Sequence, residues 1–238
     1  MKSRKQELKR EKDKKNAMRK VIDIQSWKRK EEYLFFRTFF SPAISVTVEV
    51  DCTIACRRAK ELGIPLSLYY MHAAIVAANR IEELRYRQEG DEVVLYDRVD
   101  LFTPILTADG SYRSVRLPAT ENLNAFVESA RPLVEAAKRG EGEAHSEVRH
   151  GKDILLISVN PWYHFTGVQL SIPCDPHQNI PIFTFGKIGE RDGRRTMPVA
   201  MTVNHGFVSG YQIGKYLKEF QKLLDREEGE GNEDFYFI

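Results

Sequence analysis

The residues of this 238-residue chain best placed to do chemistry lie in MPVAMTVNHGFVSGYQIG, residues 197–214. Val199, Met201 and Val203 alternate as one face of a strand, and His205 keeps the same parity where Gly206 lets the chain turn away. A histidine projecting from a strand end, just before a glycine-containing turn and an amphipathic helix, is well placed for a cleft. Histidine in general, with an ordinary pKa of about 6.5, is mostly unprotonated at neutral pH and can serve as a base. The pattern alone also describes a structural histidine. Elsewhere, His72 sits inside SLYYMHAAIVAANRI, apolar nearly all round, and reads as a satisfied core residue. His145 and His150 fall in the polar stretch GEGEAHSEVRHGKD and read as exposed loop residues. The three cysteines, Cys52, Cys56 and Cys174, are too few for a disulfide framework. Cys52 and Cys56 stand four apart in a predicted helix, a spacing that matches no standard zinc site, so reduced thiols and no metal are expected.

The elements that must position His205 follow from periodicity. SWKRKEEYLFFRTFF predicts a short helix with Ser26 as its cap. In AISVTVEV, Ile44, Val46, Val48 and Val50 face one way and Ser45, Thr47 and Glu49 the other, a strand with one wet side. Residues 51–62 read as a helix, Gly63 and Pro65 break it, and a buried helix follows. DEVVLYDRVDLFTPILTADGSYRSVRLP alternates like two strands with a turn at Asp109-Gly110. NLNAFVESARPLVEAAKR is an amphipathic helix that Pro132 should kink or divide. Four further strands are expected, in ILLISVNPW, HFTGVQLSI, NIPIFTFGKIG and TMPVAMTVNHGF. A last helix, YQIGKYLKEFQKLL, places Ile213, Tyr216, Leu217, Phe220, Leu223 and Leu224 at three-four spacing against the sheet. Strands mixed with helices and without βαβ regularity predict a two-layer α+β fold, a mixed sheet packed by helices.

Composition bounds the rest. At 42% hydrophobic residues the chain is long enough for one full core, and no apolar run approaches the roughly 20 residues that span a bilayer, so a soluble, cytoplasmic protein is expected. The net charge of +2 hides an asymmetry. Residues 1–20 carry ten Lys/Arg against three acids, whereas the tail 225–238 carries six acids against one Arg. A basic arm can tether nucleic acid, but this one has no aromatic residue for stacking and no binding module beside it. It reads instead as a solvated extension, with Met18 as an internal start and the acidic tail equally solvated, although Phe235 to Ile238 could dock on a neighbour. One domain over 21–224 lies between them.

Specificity comes from resemblance. NHGFVSG is similar to the HHxxxDG signature of chloramphenicol acetyltransferases, ISVNPWYHFTGVQL to the family's SxNPWxxF segment, IPIFTFGK to a third, and SWKRKEEYLFF to its opening WxRxxxF. The four stand in consistent order from about Val21 to Leu224, with nearly gap-free spacing in the C-terminal half. The resemblance implies transfer of an acetyl group from acetyl-CoA to a hydroxyl of chloramphenicol or a similar small molecule. His205 matches the general base, Ser158 the hydroxyl that meets the oxyanion, and Thr184 a threonine that acts near the same oxygen through water. Trp162 matches an aromatic along the pantetheine arm of coenzyme A, and Lys187 stands at the lysine of the FGK segment. Phe35, Phe36, Phe40, Pro42, Ile44 and Ile105 match acceptor-contacting positions and stay apolar. A homotrimer is implied, each site shared between two subunits.

Two departures stand out. Asn204 replaces the first signature histidine, at opposite strand parity to His205. Ser209 replaces the aspartate that, in the family, pairs with the arginine retained here as Arg29. Ser209-Gly210-Tyr211-Gln212 still reads as a capping box. A buried unpaired guanidinium is costly, so Arg29 is expected to find another acceptor or to become exposed. The altered pocket leaves open the same chemistry on another alcohol or amine, and the lost aspartate leaves open a non-catalytic trimeric binding relative.

Overall fold

The computed structural model describes residues 19–144, 151–170 and 179–226. The elements in chain order are β1 (Arg19–Val21), α1 (Lys30–Phe36), β2 (Ala43–Asp51), α2 (Thr53–Glu61), α3 (Leu66–Arg80), a 3-10 turn (Glu82–Arg85), β3 (Tyr86–Glu89), β4 (Glu92–Tyr96), β5 (Asp100–Leu106), β6 (Tyr112–Leu117), α4 (Leu123–Lys138), β7 (Ile154–Val159), β8 (Ile182–Phe185), β9 (Gly189–Arg191), β10 (Arg194–Asn204) and α5 (Gly210–Leu224). Seven strands form one sheet in the order β2-β10-β8-β7-β5-β6, with β9 against the start of β10. β7 runs parallel to both β5 and β8, and the other neighbours are antiparallel, so the sheet is mixed. A smaller antiparallel sheet, β1-β4-β3, pairs Arg19 and Lys20 with Tyr96 and Leu95.

Alternation decides which side of the large sheet is dry. Val50, Val199, Met201, Val203, Phe183, Phe185, Leu155, Ile157 and Leu101 share the main core with α3 and α5. The apolar α3 is the hub, with α2, α4 and α5 packed around it. Tyr216 and Phe220 of α5 meet Phe183 and Phe185 at 4.8 and 5.8 Å between ring centres. Helices on one face of a mixed sheet make the two-layer α+β arrangement expected from the pattern. His72 is buried in α3, its Nε2 3.1 Å from the Thr120 carbonyl, a core histidine with its bond made. No single helix among the described residues is long and apolar enough to cross a membrane.

Several local expectations change. Ser26 does not cap α1: its hydroxyl donates to Asp23 at 2.8 Å, and the helix begins after Arg29 without a side-chain cap. The stretch read as two strands makes three, because Asn79 of α3 clamps the backbone of Val99 with bonds of 2.8 and 2.9 Å and splits β4 from β5. The two strands then join different sheets, which alternation cannot reveal. The Asp109-Gly110 turn is present, with Gly110 at φ +83° and Thr107 N donating to Ser111 O at 2.9 Å. α4 runs unbroken through Pro132, which lies on its exposed side, where the carbonyl that proline leaves unbonded meets water. Residues 164–170 form no strand; the remainder of HFTGVQLSI, with Cys174, lies outside the described residues, as do His145, His150 and Phe235 to Ile238.

Candidate active site

His205 follows the last residue of β10 and is partly exposed. Its backbone N–H donates to Pro42 O at 2.8 Å, extending the β10–β2 ladder by one bond and fixing where the side chain leaves the sheet. The imidazole stacks on Phe36 of α1, ring centres 4.1 Å apart and 18° from parallel. Its Nδ1 is buried without a hydrogen-bond partner among the described residues, so Nε2 is the nitrogen left for exchange. Gly206 permits this contact. A Cβ there would stand 3.1 Å from Asn204 Oδ1 and 3.4 Å from the Tyr33 backbone, so a side chain would touch α1 and crowd the Asn204 amide that closes the turn. Asn204, on the other face, accepts from Gly206 N at 2.9 Å and closes the turn. Ser209 and Gln212 form the expected capping box at the start of α5.

The candidate acceptor residues gather mostly around this end. Phe35, Phe36 and Phe39 form a cluster with ring centres 5.1 to 5.4 Å apart, and Ile44 pairs with Val203. Phe35 and Phe40 are 59% and 90% exposed, an apolar surface that a lone chain leaves in water. Ile105 is separate: it lies on β5, beyond the segment that pairs with β7.

Ser158 and Thr184 occupy the opposite face of the sheet. Register places Thr47, Ala200, Thr184 and Ser158 in one row across β2, β10, β8 and β7, with side chains away from the helices. Thr184 is fully buried and its hydroxyl has no partner among the described residues; Ser158 is partly exposed. The chain after β7 folds back over this face. Phe165 packs onto Gly186, where a Cβ would lie 2.7 Å from its ring and 2.6 Å from Pro198. Asn160 N donates to Phe185 O at 2.8 Å and Lys187 N to Tyr163 O at 2.9 Å, so the NPWYHF and FGK segments are bound together. Trp162 and Lys187 sit exposed on this junction, Trp162 at 54%. Sequence reading missed Gly186; the adjacent FTFGK run marks a glycine but not the ring that requires it.

One chain therefore carries two separated halves. His205 comes five positions after Ala200, about 16 Å along the strands, and two strands over from Ser158, about 10 Å more across them. The structure joins His205 with Phe35, Phe36 and Ile44, and Ser158 with Thr184 beside the Trp162 and Lys187 junction; it does not join the two sets. Two open grooves of about 600 Å³, one along Ser41, Ser45, Thr47 and Gly167, the other by Glu49, His164 and Arg191, contain neither His205 nor Ser158. Arg29 is neither exposed nor repartnered: it is buried, and its Nε and Nη2 have no acceptor among the described residues. Those residues also contain no group of three or more His, Cys, Asp or Glu side chains that could hold a metal.

The family model described as chloramphenicol acetyltransferase matches residues 18–221. The chain is 25% identical over 206 residues to the chloramphenicol acetyltransferase of Proteus mirabilis, covering 86% of this chain and 94% of that protein. A solved chloramphenicol acetyltransferase superposes with a TM-score of 0.81 at 36% identity, over 87% of this chain and all of that one. A probable dihydrolipoamide acetyltransferase from Listeria monocytogenes shares the fold, with a TM-score of 0.60 at 17% identity over 89% of this chain and 97% of that one. With the histidine at a strand end and the serine and threonine across the sheet standing on the fold these matches describe, the chain belongs to the chloramphenicol acetyltransferase family and is an acetyl-CoA-dependent acetyltransferase.

Proposed function

We propose that the protein transfers the acetyl group of acetyl-CoA to a hydroxyl of chloramphenicol or a similar small apolar molecule, with His205 as general base. The single observation that carries this reading is the separation of the two halves. The base with its aromatic wall sits at one end of the chain, and the serine, threonine and exposed tryptophan sit at the other. A homotrimer, in which the His205 end of one protomer meets the Ser158 end of the next, completes three sites by one repeated contact. Burying Phe35 and Phe40 would supply apolar area for that contact. The catalytic domain covers about residues 21–224, flanked by the basic arm and the acidic tail. The buried free thiols of Cys52 and Cys56 suit a reducing cytoplasm.

In the reaction, the acceptor hydroxyl gives its proton to His205 Nε2 as its oxygen attacks the thioester carbonyl carbon. Phe36 holds the imidazole plane, and the shielding of Nδ1 leaves a single nitrogen for the exchange. The carbonyl oxygen becomes an oxyanion, met by the Ser158 hydroxyl, with Thr184 beside it in the same sheet row. Collapse breaks the carbon–sulfur bond. The proton passes from the imidazolium to the departing thiolate, leaving an acetyl ester and free coenzyme A. Trp162 and Lys187 are exposed where a long thiol-bearing chain could lie along the NPWYHF–FGK junction, and that placement fits acetyl-CoA as co-substrate.

Release of coenzyme A with chloramphenicol, and with a panel of other alcohols and amines, tests the acceptor class. Sharing of the site is tested by co-expression. His205→Ala and Ser158→Ala chains, each nearly inactive alone, should regain activity when mixed, since random assortment in a closed ring leaves roughly a quarter of the interfaces with both groups intact. No recovery in mixed trimers, with both variants folded, would place each site within one chain. No transfer to any acceptor would favour a binding role.

A further inference from the structure

We infer that Arg29 holds a small inorganic anion, of the chloride class, inside each protomer at the start of α1. The inference does not depend on the acceptor or on His205 acting as a base. Arg29 is only 7% exposed, yet Nε and Nη2 have no acceptor among the described residues. A guanidinium does not shed its charge to escape burial, so a desolvated one needs a counter-charge or several acceptors. The acids that its neighbour Lys28 reaches are otherwise engaged. Lys28 reaches Glu82 and Glu83 at 3.4 and 3.9 Å, the Tyr86 hydroxyl donates to Glu82 at 2.6 Å, and Gln212 donates to Glu83 at 3.4 Å. Trp27 Nε1 and the Tyr33 hydroxyl are also buried without a partner among the described residues, but neither carries a charge. Arg29 is thus the unanswered charge in a region where the carboxylates already have donors.

Its surroundings limit what could answer it. Trp27 and Tyr33 both pack on Phe207, at 6.0 and 5.7 Å between ring centres, and the Tyr33 backbone lies against Gly206. With Arg29 so little exposed, a monatomic or similarly compact ion fits beside it more readily than a bulky organic acid. Ser209, the nearby turn residue, is committed to the capping box with Gln212 and brings no charge.

The test uses the intact protein at fixed protein concentration. Melting is followed in sodium chloride or bromide and in sodium gluconate at matched ionic strength. A site of this kind predicts a saturable rise in Tm in either halide, about 5 °C at a hundredfold excess over the dissociation constant, and no such rise for Arg29→Met. Equal Tm in halide and gluconate, or an equal halide response in Arg29→Met, overturns the proposal. Should that variant fail to fold, crystals of the unaltered protein grown in bromide decide the matter by anomalous scattering. A bromide within hydrogen-bonding distance of Arg29 Nε or Nη2 supports the site; a carboxylate there, from residues 227–238 or from another copy, overturns it.

Discussion

The two histidines His72 and His205 sit in opposite kinds of place, and the contrast shows how this fold separates structure from chemistry. His72 is enclosed in α3, its Nε2 against the Thr120 carbonyl and its ring beside Phe126 at 5.3 Å. Burial holds its imidazole below the ordinary histidine pKa, so the neutral form is the one the core accepts. His205 has the same apolar company, a stacked phenylalanine, but only Nδ1 is shielded, and the residue stands where the sheet ends. Its other nitrogen makes no hydrogen bond among the described residues. A histidine whose bonds are made stabilises; one held rigidly with a nitrogen to spare can exchange a proton.

Substitution should break the pair apart. The largest effect is expected from His205→Ala, with kcat lowered by roughly two to four orders of magnitude and little change in Tm, read by coenzyme A release and a thermal melt on the same sample. Turnover equal to the parent on every active acceptor would remove His205 from the mechanism. His72→Ala should do the reverse, leaving kcat near the parent value while lowering stability by about 2–4 kcal/mol in urea, because it opens a cavity and strands the Thr120 carbonyl.

A pH series sharpens the same contrast. Since the folded pKa of His72 lies below the unfolded value of about 6.5, the unfolded chain binds a proton there that the folded chain refuses. Stability is therefore lost as pH falls through the unfolded value toward the folded one, by at most about 1.4 kcal/mol per pH unit from this residue. His72→Gln, which keeps a donor for the Thr120 carbonyl, should flatten the decline in urea midpoint between pH 7 and 5; an unchanged slope would assign it to other groups. The smallest effect concerns the turn that carries His205. Ser209→Asp keeps the helix cap and adds a charge toward Arg29, so it should raise stability by about 1 kcal/mol, visible as a few degrees in Tm. A lower Tm would mean that the carboxylate does not reach the guanidinium.

Much of this was legible in the residues. The period-two run in β2, the apolar α3, the Asp109-Gly110 turn, the Ser209–Gln212 cap and the parity of His205 with Val199, Met201 and Val203 all follow from local chemistry that neighbours in sequence dictate. The failures share a cause. Ser26 bonds Asp23 rather than α1, Asn79 cuts one alternating run into two strands of different sheets, and the stretch after His164 drapes over the sheet instead of joining it. In each, a partner that local pattern does not name won the competition.

The same division holds for the candidate site. Sequence by itself determined, through its motifs, which side chains could act and that His205 keeps the parity of Val199, Met201 and Val203, because alternation and turn chemistry are local. Only the tertiary structure decided that Ser158 and Thr184 share a row on the face away from the helices, that Phe36 stacks on His205, and that Arg29 is buried without an acceptor among the described residues. Register across β10, β8 and β7 is set by packing between residues far apart in the chain, and that register keeps His205 and Ser158 at opposite ends of one protomer.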